Sequence, residues 1–322
     1  MLRRLLSELL RQSVTPDKLI VVDCEGGSSA VRRALEESGW PDRAETLLIP
    51  ASRSNLPFQR WLARRIVTDL DALIFFDDDL LLPNARTVEH LAGALKRAAA
   101  ATCQIRMGGG TEERFRWRLP LDRLRAGRLS TGGSRHMPRE DDDPLPRIEW
   151  LRGGAMAIRA GALAPERFPH DLFALAESGA GMGEELALAL RVRGPIVLVR
   201  GLEVEHPGGH GSNTLPADGA RQGFAIAYSR RLLHDLRHGS PIALGAAWLA
   251  GASAAAVDCV RQGAAHRRGF LHGYMRGVIE GILRPPTHAR LTPSIDWEQE
   301  ARISIAGTLE LSKEAQCRRV SA

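Results

Sequence analysis

Residues Ala72–Asp79 read ALIFFDDD, an apolar run followed directly by three aspartates. A short run of this kind, rich in aromatic and β-branched residues, is typical of a buried strand. Three adjacent carboxylates repel one another, and a bound cation relieves that repulsion. Carboxylate oxygens are preferred ligands of Mg²⁺ and Mn²⁺. The stretch therefore predicts a divalent-metal site at the end of a strand; the alternative is a solvated acidic turn before the next helix.

The pattern around this stretch alternates between strands and helices. The predicted strands cover 18–23, 45–50, 72–76 and 101–107, and the predicted helices cover 2–12, 29–38, 57–69 and 83–98. Such alternation indicates an α/β fold with a mostly parallel sheet and helices on both faces. Ligands bind beyond the carboxyl ends of the strands in these sheets. Asp23 and Asp77 both end predicted strands, so we expect them to line one crevice.

The second half of the chain predicts three further parts. Residues 108–146 predict a long loop over the active face, and strands follow near 150–158 and at 196–205. From residue 215 the pattern is helical. We divide the chain into an α/β domain over 1–214, a helical region over 215–286 and a weakly patterned tail over 287–322.

Two further groups of residues are candidates for catalysis or for binding a metal or phosphate. Glu184 and Glu185 open a predicted helix, where the helix dipole favours carboxylates, yet Glu185 is equally suited to act as a general base. Arg191 lies about two turns from Glu184 and is placed to pair with it. His206 ends the strand at 196–205 before a glycine-rich loop. It is either a structural histidine or a ligand of a metal or phosphate.

Composition narrows the functional classes. The net charge is +6, but the arginines are dispersed and aromatic residues make up 5%. This argues against a nucleic-acid surface. The cysteines at 24, 103, 259 and 317 lack metal-knuckle or redox spacing, which suits a reducing, cytoplasmic compartment. Residues Pro241–Val260 approach membrane-spanning length but are rich in alanine and glycine. We expect a buried or interfacial helix and a peripheral contact at the inner face of a membrane.

The order of these motifs resembles glycosyltransferase family 2, whose members are inverting enzymes of the GT-A fold. The resemblance covers about residues 2–283. The matching segments are LSELLRQSVTPDKLIVVD at Leu6–Asp23, NLPFQR at Asn55–Arg60, FFDDD at 75–79, WLRGGAMAIRAGAL at 150–163, GEELALALR at 183–191, EVEH at 203–206 and YSRR at 228–231.

The resemblance implies metal-dependent transfer of a sugar from a nucleotide-sugar donor to a hydroxyl of a glycan, a lipid-linked or a small-molecule acceptor. It implies bacterial surface glycan or glycolipid synthesis as the setting. On the donor side, the resemblance implies nucleobase or ribose contact for Asp23, donor binding for Arg60, Asp77 and Asp78, and metal binding for Asp79 and His206. On the acceptor side, it implies catalysis for Glu185, with Glu184 as its alternative, and an acceptor-side segment at Gly153 and Gly154.

Two departures from the family pattern bear on activity. Glu185 stands where the family has aspartate. The family's first strand, which is central in its sheet and precedes the first helix, has no counterpart before Leu2. We expect its absence to leave strand edges without partners. The hypotheses are a misplaced start or a truncated chain, or else a catalytically weakened protein.

Two alternative functions remain open. A degenerate relative acting as a binding or scaffold protein fits the missing strand and the change at Glu185. A sugar-phosphate nucleotidyltransferase shares this type of sheet and has a glycine-rich signature like Gly108–Thr111, although in this chain that stretch follows the metal motif.

Overall fold

The computed structural model describes residues 1–24, 28–67, 70–107, 126–129, 135–138, 143–168, 170–177, 183–207, 216–262, 265–284 and 295–311. The Gly108–Thr111 stretch, most of the 108–146 loop and the glycine-rich segment after Pro207 lie outside these residues. The predicted α/β class is confirmed.

The helices and strands are numbered along the chain. The helices are α1 Leu2–Leu10, α2 Ser29–Ser38, α3 Leu56–Ile66, α4 Thr87–Ala94, α5 His170–Glu177, α6 Glu184–Arg191, α7 Pro216–Leu236, α8 Pro241–Gln262, α9 Ala265–Leu283 and α10 Trp297–Ala306. The strands are β1 Lys18–Asp23, β2 Glu45–Pro50, β3 Ala72–Phe76, β4 Ala100–Met107, β5 Arg147–Ile148, β6 Ala155–Arg159, β7 Ile196–His206 and β8 Leu309–Glu310.

The strands form two sheets rather than the single sheet that the sequence predicts. One has the order β1-β2-β8 and the other has the order β3-β6-β4-β7-β5. The pairs β1–β2 and β4–β7 are parallel, as expected, whereas β5, β6 and β8 pair antiparallel with their neighbours. The second sheet is mixed because β6 returns between β3 and β4. No strand pair among the described residues joins β1 to β3.

The protein has two large apolar cores, and both sheets contribute residues to each of them. Ile20 of β1 and Phe75 of β3 pack against one cluster, to which α3, α6 and α7 contribute. Val21 of β1 and Ile74 of β3 pack against the other, to which α1, α2 and α4 contribute. Helices therefore cover both faces, as predicted. The two sheets form one layer that is interrupted between β1 and β3.

Three elements differ from the sequence prediction. The helix expected to open at Pro83 begins at Thr87, because the Asn84 carbonyl accepts bonds from the Gln12 and Thr87 side chains before the helix starts. The short helix α5 had no distinct periodic signal. The tail contains α10 and β8, since Trp297 is buried with Phe58 of α3 and β8 extends β2.

Three long helices, α7, α8 and α9, follow residue 215. α7 packs closely on α9, and α8 contacts both. Pro241–Val260, within α8, is the one segment of the described residues that is long and apolar enough to cross a bilayer, and 17% of it is buried.

Candidate active site

The guanidinium of Arg60 is the centre of the candidate site. Asn55 caps α3, since its side chain accepts a hydrogen bond from the Phe58 amide at 3.1 Å, and Pro57 occupies the first turn, where proline is favoured. Arg60 follows on the buried side of this helix and is only 4% exposed. A buried guanidinium needs carboxylate or carbonyl partners to offset its desolvation.

Three parts of the chain supply those partners. Arg60 Nη2 donates to Asp77 Oδ1 at 3.0 Å and to the Gly153 carbonyl at 2.8 Å. Arg60 Nη1 donates to Glu184 Oε1 at 3.1 Å. The residue after β3, the turn before β6 and the first residue of α6 are thus held at one point. We call this set, Arg60, Asp77, Gly153 and Glu184, the Arg60 cluster.

Burial changes the proton affinity of both carboxyls in the Arg60 cluster. Desolvation raises the pKa of Asp77, although Arg60 opposes the change. Desolvation, followed by repulsion from Glu185, raises the pKa of Glu184 to about 7, against the attraction of Arg60. Glu184 therefore exchanges its proton near neutral pH, which is unusual for a glutamate.

The raised pKa of Glu184 predicts a pH dependence of stability. Between pH 4.5 and about 7 the folded protein holds a proton that the unfolded chain has released, so the free energy of unfolding falls as the pH rises through this window. The full effect is on the order of 3 kcal/mol. We expect Glu184→Gln to match the wild type near pH 5 and to exceed its melting temperature by several degrees at pH 8.

Calorimetric melting curves from pH 5 to pH 8 would measure this difference. Glu36→Gln, which alters an exposed glutamate of α2, is the matched control and is expected to follow the wild type throughout. If the melting temperatures of the wild type and Glu184→Gln change with pH in the same way, the raised pKa of Glu184 is contradicted.

A second pair of side chains lies beside the Arg60 cluster. Asp79 Oδ2 is 3.2 Å from His206 Nε2. The pair is positioned by a short bridge, in which Leu81 and Glu205 exchange backbone hydrogen bonds of 2.8 and 2.9 Å. Asp79 and His206 also act on the pKa of Asp77, so all three groups share one electrostatic site.

The Asp79–His206 pair fits a divalent metal with few protein ligands. The imidazole atom that faces Asp79 is Nε2, so a metal between the two side chains would have one carboxylate and one imidazole ligand. The described residues contain no cluster of three or more metal-binding side chains. A metal held here would take its remaining ligands from phosphate oxygens and water, which is the usual arrangement for Mg²⁺ at nucleotide sites.

Glu185 is separated from the Arg60 cluster although it adjoins Glu184 in sequence. Its carboxylate pairs with Arg135, whose side chain is 30% exposed, while that of Glu185 is 8% exposed. Gly153 lies against this part of α6, since a Cβ there would be 3.8 Å from the Glu185 Cβ. The small residue leaves room between the turn before β6 and both glutamates.

The structure places the other predicted site residues as follows. Asp23 is buried at the end of β1, and its Oδ2 accepts a 2.6 Å hydrogen bond from the Ser28 amide. Its contact with the nucleobase or ribose of a nucleotide sugar remains a prediction. Asp78 is exposed. A Cβ at Gly154 would be 2.9 Å from Ile105 Cδ1, so this glycine serves close packing.

The suggested pairing of Arg191 with Glu184 is corrected. Glu184 pairs with Arg60, and Arg191 is exposed in the last turn of α6. Seven residues of helix separate the two by about 10 Å along the axis, which favours a nearer partner for the buried carboxylate.

One contributor to the site, Arg135, was missed in the sequence. Arg135 lies in an arginine-rich stretch without periodicity, so nothing distinguished it from its neighbours. Gly153 was a predicted site residue, but the role of its carbonyl as a partner of Arg60 was not predicted, because a backbone acceptor leaves no signal in sequence.

No protein-family profile matches the chain, and no curated protein matches it. Solved structures that it resembles include TarS 1–349 of S. aureus, at 12% identity and a TM-score of 0.42, over 94% of this chain and 74% of that one. Another is the mannosyltransferase PcManGT of Pyrobaculum calidifontis in complex with GDP-Man and Mn²⁺, at 16% identity and a TM-score of 0.45, over 87% of this chain and 82% of that one.

Proposed function

We propose that the protein is a nucleotide-sugar-dependent glycosyltransferase that inverts the anomeric centre and uses Mn²⁺ or Mg²⁺. The observation that carries the proposal is the meeting of the Arg60 cluster with the Asp79–His206 pair. Both lie where β3 and β7 end, and these strands run in the same direction, because β3 and β4 are both antiparallel to β6 and β7 is parallel to β4. Ligands of α/β sheets bind at that edge.

Asp79 and His206 would hold the metal, which when bound would neutralise the diphosphate of the donor and of the leaving nucleoside diphosphate. Asp77 is partly exposed and fixed by Arg60, so its free oxygen is placed to accept a hydrogen bond from a donor hydroxyl. Arg60 limits the repulsion between Asp77 and the donor phosphates. Asp78 adds negative charge next to the metal pair.

We assign the general base to Glu185, with Glu184 as the alternative. Glu184 is bound to a guanidinium that is 4% exposed, and withdrawing it would leave that charge short of a partner. Arg135, the partner of Glu185, is 30% exposed, so an incoming acceptor can replace it at smaller cost. Glu184 then positions Arg60 and Asp77 rather than acting on the acceptor.

The proposed reaction is a single displacement. Glu185 takes the proton of the acceptor hydroxyl, and the oxygen bonds to the anomeric carbon from the face opposite the diphosphate. The bond from that carbon to the phosphate oxygen breaks, and the nucleoside diphosphate leaves with the electron pair. We propose bacterial surface glycan or glycolipid synthesis on the cytoplasmic side as the setting.

The experiment that tests this function is calorimetric titration of the protein with UDP, GDP and dTDP, each with and without Mn²⁺. We expect one nucleotide to bind only with metal, and Asp79→Asn to weaken that binding by at least about tenfold, because the carboxylate charge is lost. Asp71→Asn, an exposed aspartate just before β3, is the matched control and should bind as the wild type does.

Other outcomes would reject the proposal. No binding of any nucleotide would favour the degenerate binding protein, an interpretation that the unjoined edges of β1 and β3 also motivate. Binding of a nucleoside triphosphate with release of pyrophosphate in the presence of a sugar phosphate would favour the nucleotidyltransferase.

A further inference from the structure

The three long helices after residue 215 form one closely packed unit. α7 and α9 approach so closely that side chains have no room: a Cβ at Gly223 would be 2.1 Å from the Phe270 carbonyl oxygen, and one at Gly273 would be 1.8 Å from that of Ala220. α8 runs antiparallel to α9, since Trp248 lies against Gly281 and Asp258 lies 3.9 Å from Arg267. The outer side of α8 and α9 is thus a fixed surface.

This surface exposes most of the large apolar side chains that the protein leaves in contact with solvent. Eight of the twelve exposed large hydrophobic residues among those described lie on α8 or α9. The most exposed are Ile242 at 84%, Leu249 at 70% and Val260 at 85% on α8, and Ile279 at 51%, Ile282 at 59% and Leu283 at 67% on α9. We call these six residues the α8–α9 face. A concentration of this kind marks an interaction site.

The charges around the α8–α9 face are mainly positive. Residues 241–257 contain no charged side chain, while Arg268, Arg276 and Arg284 of the α9 segment are exposed. The acidic groups of the two helices, Asp258 and Glu280, each lie within 4.0 Å of an arginine. An apolar surface bordered by exposed arginines is complementary to a bilayer that contains anionic lipids.

We propose that the α8–α9 face docks on the surface of an anionic membrane, with α8 lying in the plane of the interface. α8 is held on its inner side, where Leu244 and Trp248 are buried and the Trp248 indole donates to the Ala227 carbonyl at 2.9 Å. A helix crossing the bilayer would have to give up these contacts. A second copy of the chain fits less well, because it would bring the same arginines together.

The α8–α9 face and the candidate active site are on helices that both pack against α7. α7 packs on α9 with one side and on α6 with another, and a Cβ at Gly183, just before α6, would be 3.8 Å from the Ser229 hydroxyl. α6 carries Glu184 and Glu185. If the proposed function holds, the acceptor is lipid-linked, because a membrane would present the acceptor hydroxyl of a lipid-linked substrate to an enzyme that docks in this way.

The test is cosedimentation of the purified full chain with vesicles of phosphatidylcholine alone and with vesicles containing about a third of phosphatidylglycerol. We expect the wild type to bind the anionic vesicles preferentially. Leu249→Glu combined with Ile279→Glu should weaken that binding about tenfold or more, since each places a carboxylate in the interface. Ile303→Glu, on α10 and 57% exposed, is the matched control.

A second variant tests the charge separately. Arg268→Gln with Arg284→Gln leaves the apolar residues intact and should reduce the preference for anionic vesicles. The melting temperature of every variant shows whether the fold is retained, and nucleotide titration is carried out separately. Vesicle binding without nucleotide binding would keep the membrane surface and reject the transferase, which separates the two proposals.

Four results would overturn the membrane proposal. The first is absence of the wild type from the vesicle pellet, and the second is a loss of binding in Ile303→Glu as large as that in Leu249→Glu with Ile279→Glu. The third is a dimer in sedimentation velocity that becomes a monomer in Leu249→Glu with Ile279→Glu. The fourth is a wild type that stays with membranes after alkaline extraction, as an integral membrane protein does. The third result would assign the surface to a second copy, and the fourth would assign α8 to a membrane span.

Discussion

Glu185→Gln is expected to lower the turnover of sugar transfer by about 10²–10⁴-fold while the affinity for the nucleotide changes little. Glutamine preserves the size of the side chain and a hydrogen bond to Arg135, but it cannot take a proton from the acceptor. The loss should therefore appear in kcat rather than in donor binding. Product formation from the nucleotide sugar that binds, compared with titration of the same variant, measures both quantities.

Glu184→Gln is the control that separates the two glutamates. If Glu185 is the base, Glu184→Gln should retain most of the turnover and should change donor affinity through Arg60 and Asp77. If Glu184 is the base, its replacement should remove both the activity and any inflection of kcat near pH 7, which corresponds to the raised pKa of that carboxyl. Equal turnover of Glu185→Gln and wild type would contradict our assignment.

The largest effect on stability is expected from Arg60→Met, which should lower the free energy of unfolding by about 3–5 kcal/mol. Removing the guanidinium leaves Asp77 and Glu184 close together without their shared cation, and both are largely buried. Methionine has a similar length and fills much of the same space, so the change tests charge more than volume. Urea unfolding followed by circular dichroism at pH 8, which is above the raised pKa of Glu184 in the wild type, measures it.

Arg86→Met provides the matched control. Arg86 also pairs with a carboxylate, that of Glu89 at 2.7 Å, but its side chain is 59% exposed, and exposed pairs contribute about 1 kcal/mol or less. Adding Glu184→Gln to Arg60→Met should recover part of the lost stability. An effect of Arg60→Met no larger than that of Arg86→Met would contradict the central role of Arg60.

Local patterns predicted the fold well where strands are short and apolar. β1, β2 and β3 begin and end where the sequence places them, because β-branched runs between turn residues determine both ends. The split into two sheets was not predicted, since alternation of elements indicates their order and not which edges meet. The antiparallel insertion of β6 depends on the path of the chain after β4, on which local pattern carries no information.

The candidate site was predicted unevenly for a similar reason. Asp77 and Asp79 follow β3 and His206 ends β7, and these two strands end at the same edge of the sheet, where ligands of such sheets bind. Arg60 was assigned to the donor side, but its position between Asp77 and Glu184 depends on helix rotation and burial. Arg135 was missed because long-range ion pairs leave no periodic trace.

The bridge between Leu81 and Glu205 has a consequence for the order in which the molecule assembles. Its two hydrogen bonds join residues that are far apart in the chain, and closing the long loop between them costs conformational entropy. Asp79 and His206 therefore come together only when β7 has reached the second sheet. The metal and nucleotide that we propose for this pair would therefore stabilise only states in which the bridge is closed.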